Sequence, residues 1–108
     1  MKQDLIRGHT DGIILACLME GEDYGYRINK KISERTASHF ELKEATLYTA
    51  FRRLEETGLI TSRWGEEERG ARRRYYCITD AGREEYRKVL AEWWETRDIL
   101  DQLLTEVK

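Results

Sequence analysis

From Asp4 to Met19 the chain starts amphipathic, with Leu5 and Ile6 flanked by polar residues, and becomes apolar on every side through Ile13, Ile14, Leu15, Ala16, Cys17 and Leu18. That pattern predicts one N-terminal helix needing cover on two sides, by the domain core and by another long helix. Gly21 is its stop signal, and Asp23 is placed to cap the next helix. The second helix, about Tyr24 to Thr36, buries Tyr24, Gly25, Ile28 and Ile32 and turns Arg27, Lys30, Lys31 and Arg35 to other faces. A polar turn around Ser38 and His39 and a short extended piece at Phe40 to Leu42 lead to a third helix, about Glu44 to Thr57, stopped by Gly58. Leu47, Phe51 and Leu54 form its core stripe. Ala45, Thr49 and Arg52 then point away from the core, with Thr46 and Tyr48 at the flanks.

After Gly58 the period changes. Leu59 to Trp64 and Arg72 to Ile78 are rich in β-branched and aromatic residues and flank the charged loop Gly65 to Gly70, which reads as a hairpin. Alternation puts Tyr76 and Ile78 on the face of Arg74, and Tyr75 and Cys77 on the face of Arg73, so arginines crowd the loop end on both faces. Thr79 then caps a long helix reaching about Glu106. Its stripe of Tyr86, Val89, Leu90, Trp93, Leu100, Leu103, Leu104 and Val107 approximates a heptad and asks for a partner helix.

Helices followed by an arginine-rich hairpin make the order of a winged helix-turn-helix: a mainly α fold with a small β-hairpin and a long C-terminal dimerisation helix. Residues 1–78 form the winged unit, its N-terminal helix shared with the dimer interface, and residues 79–108 form the dimerisation helix; the two are expected to fold together. A helix about 10–12 Å across fits the DNA major groove, and a hairpin beside it lays cations along the backbone.

Charge qualifies this picture without removing it. The 108 residues hold 19 Lys and Arg against 21 Asp and Glu, a net charge of -2, so any basic footprint is local. It is found in the second helix, with Arg27, Lys30, Lys31 and Arg35 against Glu34 alone, and in Arg72, Arg73 and Arg74. Such a length fits one domain, too small for a large catalytic cleft of its own.

The longest apolar stretch, Gly12 to Met19, is far short of a membrane span, and Lys2, Gln3 and Asp4 do not begin a secretory leader, so a cytoplasmic location is expected. Cys17 and Cys77 lack CxxC spacing and read as reduced packing residues. His9 and His39 stand apart from each other and from clustered thiols or carboxylates, so no metal is expected. Glu84, Glu85 and Glu66 to Glu68 read as solvated charge. With no nucleophile–base pair and no phosphate loop, the chain is not expected to be an enzyme, and no cofactor is expected.

The run Glu44-Ala45-Thr46-Leu47-Tyr48-Thr49-Ala50-Phe51-Arg52-Arg53-Leu54-Glu55-Glu56-Thr57-Gly58-Leu59-Ile60, then Trp64, then Gly70-Ala71-Arg72-Arg73-Arg74-Tyr75-Tyr76-Cys77-Ile78-Thr79 and Gly82, resembles the PadR family of winged-helix transcriptional regulators. Tyr24-Gly25-Tyr26 matches as well, and the resemblance spans nearly the whole chain. It is strongest to the short subfamily with one C-terminal helix, which includes multidrug-sensing repressors. The resemblance implies a homodimer on a palindromic operator, each C-terminal helix packing on the partner's N-terminal helix. Tyr26, Lys43, Thr46, Tyr48, Thr49, Arg52, Arg72, Arg73 and Arg74 are the residues expected at double-stranded DNA. Ile13, Leu90, Trp94, Leu100 and Leu104 are expected in the dimer. In the multidrug-sensing branch an apolar pore opens at the dimer centre and a Trp stacks on planar ligands; Trp93 has that place by its spacing from Gly82, with Leu5 and Val89 as neighbours.

This chain departs from the family pattern in several places. Ala45 and Thr49 stand where many members have Gly and Pro, Ala71 and Arg72 where many have Arg and Pro, and Gly12 and Trp94 add a small residue and a second ring near the pore. Alternative roles stay open for several residues. Arg72 to Arg74 fit phosphate contacts or a solvated turn, and Thr46, Tyr48, Thr49 and Arg52 fit a DNA face or a plain exposed one. On the first reading Tyr48 and Thr49 suit backbone positioning, and Arg52 suits backbone or base. Trp93 fits ligand stacking or a dimer core, and Trp94 the pore rim or dimer packing. The competing function is a winged-helix adaptor that binds protein and no specific DNA.

Overall fold

The computed structural model describes residues 2–66 and 72–105. Its elements are α1 (Lys2–Arg7), α2 (Thr10–Leu18), β1 (Asp23–Tyr24), α3 (Gly25–Arg35), α4 (Glu44–Glu56), β2 (Ile60–Trp64), β3 (Arg74–Ile78) and α5 (Asp80–Leu104). Residues 67 to 70 of the predicted loop, Ala71, Glu106 at the predicted end of the last helix and Val107 of its stripe lie outside the described residues. This is a winged helix with a long C-terminal helix. Among the described residues no helix is long and apolar enough to cross a membrane.

The single N-terminal helix expected from the pattern is instead two. The chain breaks at Gly8 and His9, where the buried Thr10 hydroxyl donates to the Arg7 carbonyl at 2.6 Å and the His9 amide donates to Ile6 at 2.8 Å. Those bonds satisfy carbonyls that α1 leaves open at its C-terminus, and Gly8 is a poor residue for carrying a helix onward. Beyond the break, Ile14, Leu15, Cys17 and Leu18 of α2 are buried, as the all-round apolar run requires.

Asp23 does not cap α3. Its side chain accepts from its neighbour's amide, Tyr24 N–H, at 3.0 Å, and α3 starts at Gly25 without a side-chain cap. Asp23 lies in β1 opposite Tyr76, only 2% exposed, and faces Lys31 at 3.0 Å and Arg27 at 3.6 Å. A buried carboxylate needs such partners, and here they tie α3 to the sheet edge. Tyr24, expected on the buried face of α3, is half-buried in the same strand. The hairpin is therefore part of a three-stranded antiparallel sheet of order β1-β3-β2. A two-residue strand is too short for alternation to reveal.

The core gathers Ile28 and Ile32 of α3, Leu47, Ala50, Phe51 and Leu54 of α4, and Ile60, Tyr76 and Ile78 of the sheet around α2. At its centre the Phe51 ring stacks on Tyr76, centroids 3.9 Å apart. Phe40 and Leu42 are buried as well, although their segment joins no strand ladder. Cys17 is buried and Cys77 is exposed on β3, so the packing role holds for the first thiol and not for the second.

Gly58 has φ +77°, a left-handed stop that lets the Leu59 amide turn back to Leu54 at 2.9 Å. Thr79 caps α5 as expected: its hydroxyl oxygen accepts from Gly82 N–H at 3.0 Å and its hydroxyl donates to the Gly58 carbonyl at 2.8 Å. That pair of bonds fixes where α5 leaves the winged unit. Gly82 is buried and Tyr86 packs on the core, whereas every residue from 91 to 105 is exposed. The molecule is accordingly 63 Å long.

Candidate nucleic-acid interface

The α3–α4 connection is held by side chains reading backbone. The Asn29 amide donates to the Leu42 carbonyl at 2.7 Å and accepts from the Leu42 amide at 2.8 Å. Thr36 accepts from the Phe40 amide at 3.1 Å. Between them Ala37 and Ser38 take φ of 49° and 65°, a left-handed turn that costs non-glycine residues about 1 kcal/mol or more each. The turn sets Lys43 as the exposed N-terminal flank of α4. From there α4 buries Leu47, Ala50, Phe51 and Leu54 and leaves Ala45, Tyr48, Thr49 and Arg52 outside, with Thr46 half-buried.

Strand register fixes which arginines share a face. Trp64 pairs with Arg74, Arg63 with Tyr75 and Ser62 with Tyr76. On the face toward α4, the guanidinium groups of Arg72 and Arg74 lie over the Trp64 ring, 5.7 Å and 5.5 Å from its centre. On the opposite face Arg63 lies over Tyr75 at 4.9 Å and Arg73 over Tyr24 at 4.8 Å. Aromatic faces attract cations while leaving the N–H edges of a guanidinium open to other acceptors.

Arg74 also reaches protein acceptors, Ser62 Oγ at 3.0 Å and Glu55 at 3.4 Å, and Arg72 donates to the Gly65 carbonyl at 3.3 Å. Arg63 pairs with Glu22, whose carboxyl is held below the ordinary carboxylate range by that hydrogen bond. Arg52 has no ion pair among the described residues and is exposed.

A groove of about 460 Å³ lies where these parts meet, lined by Tyr26, Tyr48, Trp64 and Arg72 to Arg74 among others. Gly25 makes room for it: a Cβ there would sit 2.7 Å from the Tyr48 hydroxyl. Of the residues expected at DNA, Tyr26, Tyr48 and the three wing arginines therefore adjoin one concavity. Thr46 and Thr49 border a separate shallow pocket with Arg7 and Arg53, and Lys43 and Arg52 border neither.

Four contributors went unread in the sequence. Trp64 and Tyr24 underlie the wing arginines, Glu55 engages Arg74, and Arg53 pairs with Asp11 of α2, a hydrogen bond that raises the Arg53 pKa. Hairpin register alone could have placed Trp64 beside Arg74; the Arg53–Asp11 pair joins distant segments and left no local signal.

A second concavity, about 610 Å³, runs between α1, α2 and α5. Leu5, Ile13, Val89, Leu90, Trp93 and Leu100 line it, almost wholly with apolar surface. His9 adds a ring edge to Trp93, centroids 5.7 Å apart and planes at 75°. Trp94 and Leu104 lie outside this groove, Trp94 carrying Arg97 over its face at 4.3 Å.

Residues 14–88 match the transcriptional regulator PadR-like family. A transcriptional regulator from Clostridium thermocellum superposes with a TM-score of 0.89 at 43% identity, covering 97% of this chain and 99% of that one. A PadR family regulator from Eggerthella lenta has a TM-score of 0.85 at 33% identity, covering 96% and 88%. An uncharacterized protein of Lysinibacillus sphaericus is 43% identical over 101 residues, 94% of this chain and 93% of its own length. A family match running from α2 into α5, on a winged fold that superposes nearly end to end on these regulators, makes the chain a member of the PadR-like family of transcriptional regulators.

Proposed function

We propose that the protein is a homodimeric cytoplasmic repressor that binds a palindromic operator and is released by a small planar aromatic or cationic ligand at the dimer centre. The observation that carries the DNA half is the adjacency of the exposed α4 side chain Tyr48 to an arginine wing underlaid by Trp64 and Tyr24, with Thr49 and Arg52 exposed on the same helix. In this reading α4 enters the major groove. Tyr26, Lys43, Thr46, Tyr48 and Thr49 position it on the backbone, Arg52 reads backbone or base, and Arg72 and Arg73 meet phosphates.

The dimer half is supported by apolar surface left exposed on the distal part of α5 and by the open apolar groove beside it. Ile13, Leu90, Trp94, Leu100 and Leu104 would pack against a second copy, bringing two α4 helices about 34–36 Å apart, one turn of duplex. Residues 79–108 then serve as the dimerisation helix of a winged unit spanning 1–78. The groove lined by Leu5, Val89 and Trp93 would lie at the centre of such a dimer. A ligand there releases DNA only by binding the misaligned arrangement of the two winged units more tightly than the aligned one.

The test is selection of bound genomic fragments by the purified protein, followed by affinity for the winning fragment at two salt concentrations. An inverted repeat with steep salt dependence is expected. No enrichment would favour a winged-helix adaptor that binds protein. For the ligand half, Trp93→Ala should weaken binding of a planar cationic dye and spare operator affinity. Equal dye affinity in the variant would remove the stacking role.

A further inference from the structure

Arg74 is engaged by this chain through its Nε, a terminal nitrogen and its flat face. Its Nε donates to Ser62 Oγ at 3.0 Å, its terminal nitrogen lies 3.4 Å from Glu55 Oε1, and its flat face lies over Trp64. Ser62 in turn donates its hydroxyl to Glu55 Oε2 at 2.6 Å. The three side chains close a ring of polar contacts joining the last turn of α4, the start of the wing on β2 and its return on β3. Two of these elements are the ones expected at DNA, and the angle between them decides whether both meet the duplex together.

We propose that Glu55 is a positioning residue that braces the wing against the recognition helix through Ser62 and Arg74, and that Arg74 serves this brace and does not neutralise a phosphate. The inference rests on the DNA-binding reading above. Its physical content is a sign. A carboxylate at the edge of a DNA site repels phosphate, so removing it should tighten binding if it did nothing else. A brace reverses that sign, because a wing free to swing must be ordered again on each encounter.

The experiment measures operator affinity across a salt series for wild type, Ser62→Ala, Glu55→Gln, Arg74→Ala and the double variant Glu55→Gln/Arg74→Ala. Thermal melts establish that each is folded. Ser62→Ala breaks the ring without changing charge, and a loss of about five-fold in affinity is expected for one well-placed hydrogen bond. Glu55→Gln should also weaken binding, and the double variant should bind no more weakly than Arg74→Ala alone.

The salt slope of Arg74→Ala should equal that of wild type, whereas loss of a phosphate contact would lower it by about 1 per protomer. A tighter Glu55→Gln, an unchanged Ser62→Ala, or a lowered slope for Arg74→Ala overturns the brace alone. Absence of salt-dependent operator binding by wild type overturns the brace and the functional reading together.

Discussion

The winged unit and the distal half of α5 are built from the same kinds of side chain and end in opposite environments. Ile14, Leu15, Leu18, Phe51 and Leu54 are all but sealed from water, whereas Trp93, Trp94, Ile99, Leu100, Leu103 and Leu104 are 43–76% exposed. Helix propensity does not separate them, since both regions are helical. What differs is a second layer. In the winged unit, α2 is enclosed by α3, α4 and the sheet; residues 91 to 105 of α5 stay exposed, with Trp93 and Leu100 facing α1 and α2 across an open groove. Contiguous exposed apolar surface of this kind marks an interaction site, and an isolated helix in water is only marginally stable.

The contrast is broken most sharply by matched truncations. Phe51→Ala removes a ring that is 1% exposed and stacked 3.9 Å from Tyr76, and should cost about 3–5 kcal/mol of unfolding free energy. That loss should be the same at every protein concentration. Leu104→Ala, at a site 76% exposed, should leave the unfolding of dilute protein unchanged within about 0.5 kcal/mol. Chemical denaturation of both variants at two concentrations checks the pair. Equal losses would mean that the distal helix is already covered within one chain.

A smaller effect is expected at the arm itself, and it should depend on concentration. Leu100→Glu puts a charge into a surface proposed to be buried between copies and should weaken association by about 2–3 kcal/mol while leaving the melt of dilute protein in place. Sedimentation equilibrium reads this as a rise in monomer at a fixed loading. An unchanged mass distribution would place the dimer contact elsewhere or nowhere on α5.

These two regions also differ in how far the sequence alone describes them. Around the core the pattern was sufficient: the 4-and-3 spacing of Leu47, Phe51 and Leu54 marks the buried side of α4, and alternation through Arg74, Tyr76 and Ile78 marks that of β3. The failures lie where a few residues serve two elements at once. Asp23 has the chemistry of a cap and is used as a buried counter-ion, because Arg27 and Lys31 stand about one and two turns on from it along α3. Gly8 sits in a run that reads as continuous helix, and the Thr10–Arg7 and His9–Ile6 bonds disclose the break.

At the candidate interface, residue types were legible and their partners were not. Three consecutive arginines read alike in sequence, yet register sends Arg73 to the face of Tyr24 and Arg74 to Trp64, Ser62 and Glu55. For the arm, sequence supplies the stripe but not what covers it.

The two thiols sharpen the comparison with the smallest perturbation of all, since neither residue need be replaced. Cys17 is buried in α2 and Cys77 is exposed on β3. Burial pushes the Cys17 thiol above its ordinary pKa, because the thiolate would lose its hydration inside the core. Native protein treated with a small alkylating reagent should therefore lose Cys77 quickly, and lose Cys17 only through opening of the winged unit, at a rate set by its stability.

The sign of the pH effect follows. A thiol whose folded pKa exceeds its unfolded value favours the fold below about pH 8.5, the unfolded value, and that contribution is lost as pH rises beyond it. Labelling of Cys17 should thus accelerate above that range by more than the growth of thiolate at an exposed thiol accounts for. It should also accelerate in Phe51→Ala and not in Leu100→Glu when dilute protein is compared. Mass spectrometry of timed samples resolves the two sites, and equal acceleration in both variants would show that the arm, too, supports the core of the single chain.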